Sequence, residues 1–505
     1  MNELARGFQF KEPPIFERGA PGRTAVSLAP LDVPAIDPKK YFGKASRKDD
    51  AGFPEVSEPE VVRHYVRLSQ WNFSIDSQFY PLGSCTMKFN PKVNEWAARL
   101  PGFGRLHPYA PASMMQGAIE LMVRLERGLA EIVGMDHVSL QPAAGAQGEL
   151  TGLMMMRAYH QDRGRSPKRV LVPDTAHGTN PASCTINGLV AVPFPGGADG
   201  ICHPEQIAAL IDDDICGIMM TNPNTLGLFE RHLPQIAEMI HAKGGLVYGD
   251  GANLNALMGK ARPGDLGVDI MQFNLHKTFT TPHGGGGPGC GPVAFKKHLE
   301  PFQPGPVPRQ RGTEFFLDHD RPKSVGRLRS FYGNFGMMVR AYAYLREMGP
   351  EGLKAATELA VLNANYVRAR IGDEYPVAFD QTCMHEVIIS DKKLQKETGI
   401  KTLDIAKRLI DYGFHPPTVY FPLVVAGAMM IEPTETESKE TLDNFIEAMQ
   451  AIAKEAHETP QLITNAPEST QLGRLDEARA ARKPVLRWQK PGKAEAEKSE
   501  SSAAR

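Results

Sequence analysis

Met115, Ile119, Met122, Leu125, Leu129 and Ile132 recur at three- and four-residue steps, and Gly134 follows them. That spacing puts them on one stripe of a helix starting near Ser113 and ending at the glycine. Downstream, short apolar runs occupy 169–172, 189–192, 215–221, 246–249 and 270–273. Runs so short and so uniformly apolar predict strands buried on both faces. Helical stretches at 149–160 and 234–243 fall between several of them. Alternation of this kind predicts an α/β fold whose sheet is mainly parallel, with helices on both faces.

The pattern changes on either side of this region. Before it, Pro13, Pro14, Pro21, Pro30, Pro34, Pro38, Pro81 and Pro91 prevent long helices and central strands, leaving one helical run at 59–68. Tyr65, Trp71, Phe73, Phe79, Tyr80 and Trp96 are too many aromatics for a disordered tail. Residues 1–110 therefore read as an extended arm that packs over another surface. A large α/β domain is expected over 111–310, closing in a Pro/Arg/Gln-rich linker at 301–311. Helical patterns at 334–348, 352–370 and 403–412, a strand at 386–390 and an apolar run at 419–431 predict a smaller C-terminal α+β domain over 311–465. Residues 466–505, rich in Ala, Glu, Lys, Arg and Ser, read as a flexible tail.

Charge narrows the functional classes. The 505-residue chain has 57 Lys and Arg against 58 Asp and Glu. The balance speaks against a nucleic-acid or membrane-surface binder, which usually carries a basic excess. No run of about 18 apolar residues is present, so no transmembrane helix is expected. Six scattered cysteines, none in CxxC spacing, together with an N-terminus lacking an apolar leader, point to reduced thiols and a cytoplasmic protein.

Five segments carry candidate chemistry. Lys277 follows a strand run and precedes four glycines, Gly284–Gly287. A lysine at a strand end can be desolvated and act as a Schiff-base nucleophile, although most loop lysines merely face water. The glycine run is expected to form a mobile loop. Asp250 ends an apolar strand, where a carboxylate needs a cation unless it caps a helix. The small-residue turn from Gln141 to Glu149 leads into a helix whose free N–H groups suit a phosphate, or simply a tight turn. His177 follows a strand among small residues and either faces a flat cofactor or is structural. Asn222, before Pro223, ends another strand and is equally compatible with an ordinary turn.

Together these residues occur in the order found in fold-type-I enzymes that use pyridoxal 5'-phosphate. The stretches Leu82–Pro91, Gln141–Glu149, Ala176–Ser183 and Asn274–Phe279 further resemble the glycine decarboxylase P-protein family of the glycine cleavage system. The resemblance covers about residues 60–460, and the length fits the lysine-bearing second subunit of the two-subunit bacterial form. It implies that Lys277 bonds to the cofactor, that Asp250 pairs with its ring nitrogen, and that His177 stacks on the ring. It also implies that Asn222 lies near the ring's phenolic oxygen and that the Ala146 and Gln147 amides hold the phosphate with help from His276. Ser84 and Thr86 would line the substrate pocket. The implied reaction is decarboxylation of glycine and transfer of the aminomethyl group to the lipoyl arm of the H-protein, by an α2β2 heterotetramer with P-protein subunit 1. Unlike aminotransferases of this fold, residues 418–432 contain no Arg to clamp the substrate carboxylate. Another fold-type-I decarboxylase or desulfurase, or a silent scaffold subunit, are the alternatives; a scaffold would be expected to lack the lysine.

Overall fold

The computed structural model describes residues 12–47, 51–283 and 289–488, so the expected mobile Gly284–Gly287 loop lies outside the described residues. The chain divides into two compact units. The larger, Ser74–Ala466, is built on a seven-stranded sheet. Its strands are β1 (His137–Ser139), β2 (Arg169–Pro173), β3 (Val190–Phe194), β4 (Ile215–Thr221), β5 (Leu246–Gly251), β6 (Ile270–Phe273) and β7 (Val293–Phe295). They lie in the order β1-β7-β6-β5-β4-β2-β3. β3, β2, β4, β5 and β6 are mutually parallel, and β7 runs antiparallel to both β6 and β1.

Alternation along the strands separates two cores. Ile218, Met220 and Val247 join Leu125 and Leu129 of the Gln116–Val133 helix and Ile236 and Ile240 of the Leu233–Ala242 helix. Met219, Leu246 and Tyr248 join Leu153, Met155 and Met156 of the Gly145–Asp162 helix. Side chains two apart on a strand share a face, so the uniformly apolar central runs are sandwiched between helix layers. The run at 189–192, expected to be buried on both faces, instead forms the edge strand β3, with Val190 56% exposed. Each fully buried Leu, Ile or Met contributes roughly 1.5–3 kcal/mol.

Residues expected to be a linker form a hairpin instead. β8 (Val307–Arg311) pairs antiparallel with β9 (Glu314–Asp318). The Pro and Arg content hid a ribbon whose apolar residues are few: Val307 is 2% exposed, and Leu317 lines a cavity with Met115, Ile119 and Met122. Its Arg309 reaches Glu300, and Glu300 also receives Arg321.

The C-terminal part has its own sheet, β10 (Val387–Ser390), β12 (Ala428–Ile431) and β11 (Thr418–Val419), all antiparallel in the order β10-β12-β11. The Phe335–Arg370 helix is interrupted at Gly349, whose φ of 60° and ψ of −177° are non-helical. Pro350, which lacks an N–H, restarts the helix where that N–H would have no partner. Ile389, Met429 and Ile431 pack against Phe445, Ile446 and Met449 of the Lys439–Glu458 helix.

The described part of the second unit consists of residues 12–47, 51–73 and 467–488. Its Glu58–Ser69 helix starts with a capping box between Ser57 and Glu60. Buried Glu12 takes Arg18, His64 and Arg67, and Phe16 stacks on Trp488. Large apolar side chains remain exposed here, among them Leu28, Tyr41, Phe42, Phe53 and Tyr65. Among the described residues no helix is long and apolar enough to cross a membrane.

Candidate active site

The carboxyl ends of parallel strands, where ligands bind in open α/β sheets, surround a cavity of about 190 Å³. Ser84, Ala146, His177, Asp250, His276 and Lys277 all line it. Asp250 is the fifth residue of β5 and is only 4% exposed. Its Oδ2 accepts from Asn180 Nδ2 at 3.0 Å; its Oδ1 accepts from Gln272 Nε2 at 2.5 Å and the Ala252 N–H at 3.0 Å. Burial pushes its pKa up, while the Ala252 bond and the charges of Lys277 and His177 pull it down. An acidic group so buried and held by neutral amides is suited to a cationic ligand atom.

Lys277 lies in the one-turn helix Leu275–Thr278, directly after β6. Its Nζ donates to the Ser84 carbonyl at 2.8 Å. Ser84 arrives on a segment laid along β12: Leu82 bridges Ile431, and the Gly83 N–H donates to Met430 O. Ser84 and Thr86 have φ of 65° and 41°, an uncommon conformation for residues with a Cβ. Two buried carboxylates hold it, with the Ser84 N–H donating to Glu386 and the Thr86 N–H to Glu432, both at 3.0 Å. Burial and the Glu432 charge push Glu386 well above the usual carboxylate range.

On the opposite wall the Gly145–Asp162 helix starts at Ala144, with no side chain capping it and Gly145 and Ala146 facing the cavity. Uncapped N–H groups and the helix dipole make this an anion site. Burial first, then His283 and Lys277, lower the His276 pKa to about 3, so its ring meets a ligand uncharged at neutral pH. His177, though exposed toward the cavity, is desolvated enough by the surrounding protein to be lowered as well.

Three expected residues are not among those lining the cavity. The Asn222 side chain is engaged by the Glu230 backbone, and it is Thr221 and Thr225 that line the cavity. Thr86 is 1% exposed, and its N–H donates to Glu432. The Gln147 side chain accepts from the Ala143 N–H at 2.7 Å and closes the turn, which leaves its backbone amide, the group the resemblance assigns to the phosphate, at the uncapped helix start. Several residues not singled out in the sequence do line the cavity: Glu149, Thr179, Asn253, Gln272 and Asn274. Their signal was available, since Gln272 interrupts an otherwise apolar strand, where a polar side chain needs a reason.

Gly291 sets the position of the helix start. A Cβ there would collide with the backbone of Ala144 and approach Gly145 N to 2.8 Å. Gly291→Ala is expected to cost about 1–3 kcal/mol through overpacking and to weaken anion binding at the turn. Thermal melts with and without inorganic phosphate check both effects; a variant that matches the parent in stability and phosphate response would contradict this role.

The comparisons with known proteins agree with this geometry. Residues 39–307 match the family model described as "Glycine cleavage system P-protein", and residues 356–471 match "Glycine dehydrogenase, C-terminal domain". The chain belongs to the glycine cleavage system P-protein family. A P-protein relative from Listeria innocua, "Probable glycine dehydrogenase (decarboxylating) subunit 2", is 55% identical over 95% of this chain and 98% of its own. One of the same description from Caldanaerobacter subterraneus subsp. tengcongensis is 55% identical over 94% and 98%. Among solved structures, an inhibitor-bound glycine decarboxylase P-protein aligns with TM-score 0.70 at 20% identity, over 83% of this chain and 95% of that one. A cysteine desulfurase from Thermococcus onnurineus aligns with TM-score 0.58 at 14% identity, over 75% and 95%. The fold is thus that of fold-type-I pyridoxal-phosphate enzymes, and the subunit-2 relatives are named as parts of a multi-subunit enzyme.

Proposed function

We propose that this P-protein chain is the lysine-bearing subunit of a pyridoxal 5'-phosphate-dependent glycine decarboxylase. The observation that carries the reading is the convergence of Lys277, Asp250, His177 and an uncapped helix start on one cavity. The residues fit the cofactor. Asp250 offers a buried carboxylate to a ring N–H, the Gly145–Gln147 turn offers amides to a phosphate, and the buried Asn274 Oδ1 and Thr221 Oγ1 have no partner among the described residues.

When bound, the cofactor supplies a sink for the electron pair left as the glycine carboxylate departs as carbon dioxide. Asp250 holds the ring nitrogen's proton in place, and His177 covers the ring. Lys277 carries the reacting amine, and the Ser84 carbonyl keeps that amine inside the cavity. The segment Pro81–Thr86, buried at Thr86, excludes water from this side. No arginine is among the described residues lining the cavity. A tight ion pair to the carboxylate in the ground state would oppose its loss, because only interactions stronger in the transition state accelerate a reaction.

The aminomethyl group passes to the lipoyl arm of the H-protein, and the working form is an α2β2 heterotetramer with P-protein subunit 1. The name subunit 2 supports a partner chain. So do exposed Trp96, Tyr109 and Met114, since obligate interfaces are large and apolar. The test is exchange of the glycine carboxyl with labelled bicarbonate, using this chain with and without the partner and lipoylated carrier. Exchange is expected from the complete mixture, and full activity of this chain alone with the carrier would overturn the requirement for a partner.

A further inference from the structure

Glu149 is buried to 3% exposure at the start of the Gly145–Asp162 helix, within the cavity wall. Its Oε1 lies 2.8 Å from Thr179 Oγ1, and its Oε2 accepts from Asn180 Nδ2 at 3.1 Å. Asn180 Nδ2 also donates to Asp250, so one amide is shared between the two carboxyl groups. On the other side Thr179 Oγ1 is 2.9 Å from His177 Nδ1, and the Thr179 N–H donates to the same Nδ1 at 3.3 Å.

Two assignments of hydrogens are open: an Nδ1–H donated to Thr179 Oγ1 with the Thr179 hydroxyl donated to Glu149, or the reverse relay, and the Thr179 N–H aimed at Nδ1 favours the second. Nδ1 accepts from a backbone N–H, so it carries no hydrogen, and a neutral ring then carries it on Nε2. With Nδ1 an acceptor, the Thr179 hydroxyl hydrogen points to it, and that hydroxyl must in turn receive a hydrogen from Glu149. We propose that Glu149 is a positioning residue that keeps its proton and, through Thr179, fixes the ring tautomer of His177 with hydrogen on Nε2. The proposal rests on the reading of His177 as the residue covering the cofactor.

The titratable groups around Glu149 are Asp250, Lys277, Tyr248, Cys184 and, beyond Thr179, His177. Burial and then the Asp250 charge raise its pKa to about 8, partly offset by Thr179, Asn180 and Lys277. Asp250 receives three N–H donors, whereas Glu149 has one N–H and one hydroxyl contact. Donated hydrogen bonds stabilise the charged form, so of the pair it is Glu149 that keeps the proton.

The test uses the full chain without cofactor, labelled with ¹⁵N-histidine, the His177 resonances being assigned by comparison with His177→Asn. At neutral pH a pyridine-type shift is expected at Nδ1 and a pyrrole-type shift at Nε2. Glu149→Gln, whose amide can donate to Thr179 while its oxygen accepts from Asn180, should keep that pattern. Thr179→Val and Glu149→Ala should each mix the tautomers and weaken pyridoxal phosphate binding by about tenfold, as expected for loss of one aligning hydrogen bond. Should Glu149→Ala fail to fold, Thr179→Val decides. A hydrogen on Nδ1 in the parent, or loss of the pattern in Glu149→Gln, overturns the proposal. Because the spectrum is read without cofactor, it stands or falls separately from the catalytic role of His177.

Discussion

Lys277→Ala is expected to lower glycine decarboxylation by roughly 10⁴-fold or more, since it removes both the covalent nucleophile and a proton-transfer group. The side chain is replaceable in structural terms. Among the described residues its one hydrogen bond reaches the Ser84 carbonyl, and it lies on a one-turn helix beside the cavity rather than in a packed core. The variant should therefore fold and still bind the cofactor, held by the helix start and Asp250, but without covalent attachment. Borohydride reduction followed by peptide mapping separates the cases. The pyridoxyl label should fall on Lys277 in the parent and be absent from the variant. Label on buried, ion-paired Lys88 or on Lys296, whose Nζ bonds Gly134 O, would sink the assignment.

Much of this site could be read in the chain because strand-end residues follow apolar runs. Asp250 and Lys277 were found by their place after 246–249 and 270–273, and both line the cavity. What the sequence did not show lies far away along the chain. The Ser84 and Thr86 backbone is held by Glu386 and Glu432, 302 and 346 residues on. Neither acid belongs to a local motif, and both look like ordinary polar residues beside an apolar strand. Asn222 was read as either a site residue or an ordinary turn, since a strand end followed by proline also makes a turn, and here its side chain bonds the Glu230 backbone. In the smaller sheet the run at 419–431 proved to be β11, a turn and β12, because Tyr420 and Gly427 adopt positive φ and reverse the chain. The Lys439–Glu458 helix was legible in principle, since Leu442, Phe445, Ile446, Met449, Ile452 and Ala453 keep helical spacing.

Asp250→Asn should separate activity from stability. Turnover is expected to fall by roughly 10³-fold, the scale seen when a group stabilising transition-state charge is removed, because a neutral amide no longer favours a proton on the ring nitrogen. The cofactor-free fold should behave oppositely. Burial, the largest influence on Asp250, raises its folded pKa above the unfolded value. Such a carboxyl is held without penalty below the unfolded pKa, and stability is lost as pH rises from there toward the folded pKa, since the folded state then binds more protons than the unfolded. Neutral pH lies above the unfolded pKa, so the cofactor-free parent carries the cost of this raised carboxyl, which has no cation bonded to it among the described residues, and asparagine removes that cost. Asn180, whose Oδ1 has no partner among the described residues, is able to turn its amide to meet the new N–H. Cofactor-free Asp250→Asn is thus expected to melt at or above the parent at pH 7 to 8, with the difference closing toward pH 4. Pyridoxal phosphate should restore the order by stabilising the parent more. A variant that unfolds more easily without cofactor across this range would show that Asp250 is there to hold the strand ends together, and a variant with near-parental turnover would remove it from the reaction.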